Sequence, residues 1–113
     1  MPVPDNYLAY VLDQLASFAT VTPRRMFGGV GLYAEGHFFA LIDDVLYFKV
    51  DDSNRPDYLA RRCKPFTYEK AKGGIVSMGY YQVPEDVIDD PDELKVWARK
   101  ALAVAVKAAA KKR

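Results

Sequence analysis

The chain has 113 residues, a formal net charge of +1 and 50% hydrophobic residues, a composition typical of one globular domain over residues 1–113. The near balance of charge argues against a dedicated nucleic-acid binder, because such proteins usually carry a clear basic excess. The single cysteine excludes an internal disulfide, and no apolar run approaches the roughly 18–20 residues of a membrane span. We therefore expect a cytoplasmic protein without a membrane partner.

A first helix is predicted near the amino end of the chain. Asp5 is placed to cap its first turn. The apolar residues that recur at helical spacing are Leu8, Val11, Leu12, Leu15 and Phe18. Thr22-Pro23 is expected to end this element, because a residue that precedes proline is disfavoured in the α conformation.

A glycine cluster, Gly28-Gly29-Val30-Gly31, follows two arginines. Such clusters bind phosphate when they open a helix and a lysine and a hydroxyl residue follow. This cluster leads into an alternating, strand-like run, so we expect a structural bend at the entry to a sheet. Arg24 and Arg25 are candidates to contact phosphate or a partner's carboxylate. A solvated pair and a structural ion pair are the alternatives for these two side chains.

The middle of the chain alternates between apolar runs and turn residues, as expected for strands joined by hairpins. The predicted elements are strands from Val30 to Ala34, His37 to Ile42 and Val45 to Val50, a short helix with Pro56 in its first turn, and strands from Phe66 to Lys70 and Val76 to Val83. Phe38-Phe39 and Tyr47-Phe48 put aromatic rings on both faces of this sheet. Such a sheet is either covered on both sides or lies at an interface.

The last helix has the clearest start signal in the chain. Asp90 is a candidate N-cap, Pro91 suits the first helical position, and Glu93 stands where a capping box needs it. The apolar stripe of this helix is Leu94, Trp97, Ala98, Ala101, Leu102, Ala105 and Ala108. The element order is then α-β-β-β-α-β-β-α. It predicts a two-layer α+β fold with helices packed on an antiparallel meander sheet.

Several short motifs follow one another along the chain. They are Arg25-Met26-Phe27-Gly28-Gly29, Gly31-Leu32-Tyr33, Phe38-Phe39-Ala40-Leu41-Ile42, Leu46-Tyr47-Phe48-Lys49, Pro65-Phe66-Thr67-Tyr68, Ser77-Met78-Gly79-Tyr80-Tyr81-Gln82-Val83-Pro84, Asp90-Pro91-Asp92-Glu93-Leu94 and Trp97-Ala98. In this order they resemble the amino-terminal domain of TfoX, a family of bacterial regulators of DNA-uptake competence. The resemblance implies the element order given above, an arrangement like that of the small secretion chaperones, and domains that often pair. The longer regulators carry a carboxy-terminal helical domain, which we expect to be absent here.

The sequence has no residue group with the pattern of a catalytic or metal site. His37 is the only histidine and has no cysteine near it, whereas a metal site usually needs three or four ligands. Cys63 lacks an identifiable base, and Ser77 lies in a predicted strand rather than at a nucleophile elbow. The paired aspartates occur at turns and caps, where local hydrogen bonding explains them. We expect a protein that is not an enzyme and that holds no cofactor or metal.

Tyrosines are the better candidates for a binding surface. Tyr80 and Tyr81 are adjacent in a predicted strand, so one of them points away from the main core. Tyrosine is enriched at interfaces because its ring buries area while its hydroxyl stays hydrated. The resemblance and these residues predict a regulatory module, expected to be a homodimer, that acts through protein contacts.

The candidate contact residues are Arg24, Arg25, Tyr68, Tyr80 and Tyr81. The alternative function is nucleic-acid binding, in which a local basic patch contacts phosphate and a tyrosine stacks on a base. Arg61, Arg62 and Lys64 are further candidates for such a patch.

Overall fold

The computed structural model describes residues 4–26, 29–69 and 75–111. Its helices are α1 (Asp5–Gln14), α2 (Arg55–Ala60), α3 (Glu85–Ile88) and α4 (Pro91–Lys111). Its strands are β1 (Val21–Met26), β2 (Gly29–Ala34), β3 (His37–Asp43), β4 (Val45–Lys49), β5 (Pro65–Glu69) and β6 (Ile75–Gln82). These elements confirm the predicted α+β fold.

The six strands form one antiparallel sheet in the order β1-β2-β3-β4-β6-β5. The first four strands follow the chain as a meander. The chain then passes through α2, and β6 pairs with β4 while β5 lies at the edge. The sheet is therefore a meander in its first two thirds only, and its two edge strands are β1 and β5.

Strand β1 is the main element that the sequence did not predict. Pro23 lies inside this strand, opposite Leu32 of β2. An edge strand tolerates proline, because the sheet needs fewer of its backbone donors there. Met26 pairs with Gly29, so Gly29 extends by one residue the strand that was predicted to begin at Val30. The rest of the bend predicted at the glycine cluster concerns Gly28. Residues 27–28 lie outside the described residues.

The hydrophobic core lies between the helices and one face of the sheet. Each helix contributes a buried side chain to it, among them Val11, Tyr58, Val87 and Leu94. The strands contribute Val30, Leu32, Ala34, Phe39, Ala40, Ile42, Leu46 and Phe48. A bulge between β2 and β3 interrupts the alternation, and the neighbours Phe39 and Ala40 are both fully buried in this core.

The helix starts confirm one predicted cap and correct another. Asp90 Oδ1 accepts hydrogen bonds from the backbone N–H groups of Asp92 at 3.1 Å and Glu93 at 3.4 Å, so Asp90 caps α4. The Asp90 N–H donates to a backbone carbonyl of α3, which leaves the expected capping box unformed. At α1 the N-cap is Pro4, and Asp5 is the first helical residue rather than the cap.

Candidate interaction surface

The register of β4 and β6 separates the two faces of the sheet. Phe48 lies opposite Tyr81, and Lys49 lies opposite Tyr80. Directly opposed residues share a face. Phe48 belongs to the core under the helices, so Tyr81 faces the helices as well, and its ring lies 5.8 Å from that of Tyr58 in α2. Tyr80 and Lys49 therefore lie on the opposite face.

This opposite face carries a group of aromatic rings. We call it the aromatic face and define it by Arg24, Tyr33, Phe38, Leu41, Tyr47, Lys49, Phe66 and Tyr80. Tyr33 stacks on Phe38 with ring centroids 5.2 Å apart, and Phe38 lies 5.6 Å from Tyr80. Tyr47 meets Phe66 edge to face at 5.1 Å. Such geometries stabilise ring pairs beyond simple area burial.

Two cations lie over these rings. The Arg24 guanidinium lies 5.8 Å from the centroid of the Tyr33 ring, and Lys49 Nζ lies 5.0 Å from that of Tyr80. Both distances are within the range of a cation–π interaction. Tyr80 is only 3% exposed, and its burial raises the pKa of its hydroxyl to about 12. At the centre of the aromatic face, the buried side chain of Tyr80 thus lies beneath the ammonium group of Lys49.

Acidic groups lie at one end of the same face. Asp43 follows Leu41 by two residues in β3, which places both side chains on the aromatic face. Burial raises the pKa of Tyr47, and the nearby carboxylates of Asp43 and Asp44 raise it further. The aromatic face therefore carries opposite charges at different positions, with cations at Arg24 and Lys49 and carboxylates beyond Tyr47.

The two candidate arginines point to opposite sides of β1. Arg24 lies on the aromatic face, whereas Arg25 makes an ion pair with Asp5 at 2.6 Å. The sequence left Arg25 between contact with phosphate or a partner's carboxylate, a solvated side chain and a structural ion pair, and the structure shows an ion pair. Both side chains of this pair are largely exposed.

The three candidate tyrosines are also divided. Tyr80 lies on the aromatic face, and Tyr81 packs against the helix-side core. The side chain of Tyr68 lies outside the described residues. The structure thus brings Arg24 and Tyr80 onto one face. It adds Tyr33, Phe38, Tyr47, Lys49 and Phe66, which the sequence did not name as contact residues.

The candidate basic patch around α2 is partly neutralised. Arg61 pairs with Asp86 at 2.5 Å and lies 3.9 Å from Glu93. Carboxylates this close reduce the positive potential that would attract phosphate. Arg61 therefore connects α2 to α3 and α4 instead of forming a basic surface.

Neither a metal site nor an activated thiol is present among the described residues. Within those ranges, no group of three or more His, Cys, Asp or Glu side chains is placed to hold a metal ion. Cys63 is a half-buried free thiol, and burial raises its pKa. A nucleophilic cysteine needs the opposite shift.

None of the helices over the described residues has the length and hydropathy of a membrane span.

The match to a family model connects this geometry to known proteins. The model of the TfoX N-terminal domain matches residues 13–105, which is well over half of the chain. The chain belongs to the TfoX N-terminal domain family. The matched range of this TfoX N-terminal domain includes all six strands and most of α4, so the aromatic face is part of the family region. No curated protein gives a significant match.

Proposed function

We propose that this TfoX N-terminal domain is a non-enzymatic, cytoplasmic regulatory module that acts in transcription or competence through protein contacts at its aromatic face. The observation that carries the proposal is a sheet face with several half-buried rings, opposite the face on which the helices build the core. Partly exposed tyrosine and phenylalanine rings that lie together on one surface are typical of protein interfaces.

A second copy of the chain is the partner that this face fits. Its cations and its carboxylates lie at different places, and Lys49 is four residues along β4 from the position opposite Asp43, or about 13 Å. A two-fold axis brings each patch of a protomer against the complementary patch of its partner. Face-to-face pairing with reversed strand directions then places Lys49 near the partner's acidic end and buries the rings between the two sheets.

The roles already filled by the acidic side chains support a non-enzymatic module. Asp51 Oδ1 accepts the Ser53 N–H at 2.8 Å, and Asp90 caps α4. Asp89 accepts a hydrogen bond from the Tyr10 hydroxyl, which joins α1 to the region after α3. Asp51 and Asp90 thus act in a turn and a cap, as the sequence predicted, whereas Asp89 makes a long-range hydrogen bond instead of a local one.

Charge reversal on the aromatic face tests the proposal. Lys49→Asp and Asp43→Arg each place like charges across the proposed interface, so each is expected to weaken self-association about tenfold or more by sedimentation equilibrium. The double variant restores opposite charges and is expected to recover dimers. Leu59→Asp is the control, because Leu59 is 56% exposed on α2 and distant from this face. A wild-type chain that stays monomeric at high concentration contradicts the dimer.

Nucleic-acid binding is the second candidate, and the cations over aromatic rings favour it. Bases stack on exposed rings while Arg24 and Lys49 contact phosphate. Such binding weakens steeply with salt. Electrophoretic shift assays with single- and double-stranded DNA and RNA at low salt test it, and the absence of any shift rules it out.

A further inference from the structure

Helix α4 carries a second apolar stripe besides the one that packs in the core. Its core stripe, with Leu94, Ala98, Ala101 and Ala105, is buried against the sheet. On another side of the helix, Val96 is 50% exposed and Val106 is 41% exposed, with Ala103 exposed between them. Val96, Ala103, Val106 and Ala110 lie on this side together with Arg99, because positions 96, 99, 103, 106 and 110 are spaced by three and four residues. This spacing is the pattern of a helix–helix contact.

A groove runs beside this second stripe. Its volume is about 460 Å³, and its apolar floor is formed by Phe18, Leu102, Ala103 and Val106. Arg99 and Lys107 lie at its two ends along α4, and Glu35, between β2 and β3, also lines it. The groove is on the helical layer, so it is separate from the aromatic face.

The charges along this part of α4 are cationic and are partly neutralised by acids of neighbouring elements. Between Leu94 and Ala110, α4 has four cations and no acid: Lys95, Arg99, Lys100 and Lys107. Asp57 pairs with Lys100 at 2.8 Å and Asp51 pairs with Lys107 at 3.9 Å, so Arg99 is the groove cation without an ion pair among the described residues. The residues that line the groove include two cations and a single acid.

The length of the groove matches two helical turns. Eight residues separate Arg99 from Lys107, which corresponds to about 12 Å along the axis. A packed helix presents apolar side chains at i, i+3, i+4 and i+7 over about the same distance. Ala103 lies midway and lets a second backbone approach closely, and the cations at both ends select carboxylates about two turns apart on the incoming helix.

We propose that this groove binds an acidic amphipathic helix of a partner protein, with apolar side chains over Leu102, Ala103 and Val106 and carboxylates at Arg99 and Lys107. The site goes beyond the proposed self-association, because it uses the other layer of the domain. One protomer therefore presents the groove whether or not its aromatic face is occupied.

A pair of designed peptides tests the groove. Each has about 14 residues, or about four turns. Both peptides have leucines at i, i+3, i+4 and i+7. They differ only at the flanking positions, which are all Glu in one peptide and all Lys in the other. Fluorescence anisotropy with the full chain is expected to show saturable binding of the Glu peptide and much weaker binding of the Lys peptide. The double variant Arg99→Glu/Lys107→Glu is expected to invert this preference, which a merely unfolded variant does not do.

Two further variants assign the site. Val106→Asp is expected to weaken Glu-peptide binding about tenfold, whereas Leu59→Asp, the same kind of change on α2 and outside the groove lining, is expected to leave it unchanged. An equal response to both variants, or a Glu peptide that binds no better than the Lys peptide, overturns the proposal. Saturable binding to anionic phosphatidylglycerol vesicles without peptide binding also overturns it, because the surface is then one for lipid.

Discussion

The two faces of the sheet use the same residue types for different purposes. On the helix side, Phe39 and Phe48 are fully buried with their rings 5.9 Å apart, under apolar side chains of α1 and α4. On the other side, Tyr33 and Phe38 stack on each other and remain only half-buried. On the helix face the rings contact aliphatic side chains, whereas on the aromatic face rings contact cations.

That difference indicates what each face contributes. A ring closed in by aliphatic side chains yields its full transfer free energy on folding, because water is excluded from all sides. A half-buried ring beneath a cation leaves part of that free energy to be gained when a partner covers it. The helix face should therefore determine stability, and the aromatic face should determine association.

Removing one ring from each face tests this division with the largest effect. Phe48→Ala is expected to lower the free energy of unfolding by about 3–5 kcal/mol, because it leaves a cavity in a closed core. Phe38→Ala removes a half-buried ring with two ring neighbours and is expected to cost about 1–2 kcal/mol. Urea unfolding of the two variants gives the comparison. Equal losses would mean that the aromatic face is a second core.

Alkaline pH gives a second comparison of the faces, through Tyr80. Its folded pKa of about 12 lies above the ordinary value of 10.0, so folding favours the neutral phenol. The contribution of the Tyr80 phenol to the free energy of unfolding is complete below pH 10. It is lost as pH rises from 10 to 12, with a slope of at most about 1.4 kcal/mol per pH unit. When urea unfolding is measured at each pH, Tyr80→Phe is expected to lose less of its free energy of unfolding over this range than the wild type.

The control variant for this measurement is Tyr33→Phe. It removes the hydroxyl of a half-buried tyrosine on the same face and is expected to keep most of the fall in stability. Burial on the helix side also raises the pKa of Tyr58, so some alkaline destabilisation should persist in Tyr80→Phe. A Tyr80→Phe curve that coincides with the wild-type curve would show that the Tyr80 phenol is hydrated.

The sequence predicts the elements with regular patterns and misses those with local exceptions. The cap of α4 was predictable, because the position of Asp90 before Pro91 has a direct physical meaning. Strand β1 was not, because Pro23 and two arginines are untypical of strands unless the strand is known to lie at an edge. Edge position depends on the topology, which a local pattern does not contain.

The candidate surface could be predicted in part. Adjacent tyrosines in β6 indicated that one ring faces away from the core, and the register identifies it as Tyr80. The alternation of side chains along the strand could not show which of Phe38 and Phe39 lies on which face of the sheet. The bulge beside Tyr33 changes the phase of β3 by one residue. The ion pair of Arg25 with Asp5 was equally out of reach, because 20 residues separate its partners along the chain.

The smallest expected effect separates Arg24 from Arg25. Arg25→Ala removes an exposed ion pair and is expected to lower the free energy of unfolding by about 0.2–1 kcal/mol, with the loss shrinking in high salt. Arg24→Ala removes a cation from the Tyr33 ring and is expected to cost about 0.5–1 kcal/mol. Stability alone therefore hardly distinguishes them. Self-association measured by sedimentation should distinguish the two variants, because Arg24 lies on the aromatic face and Arg25 does not. Equal weakening of dimers by both variants would mean that the interface includes the amino end of α1 and that the faces do not divide as argued.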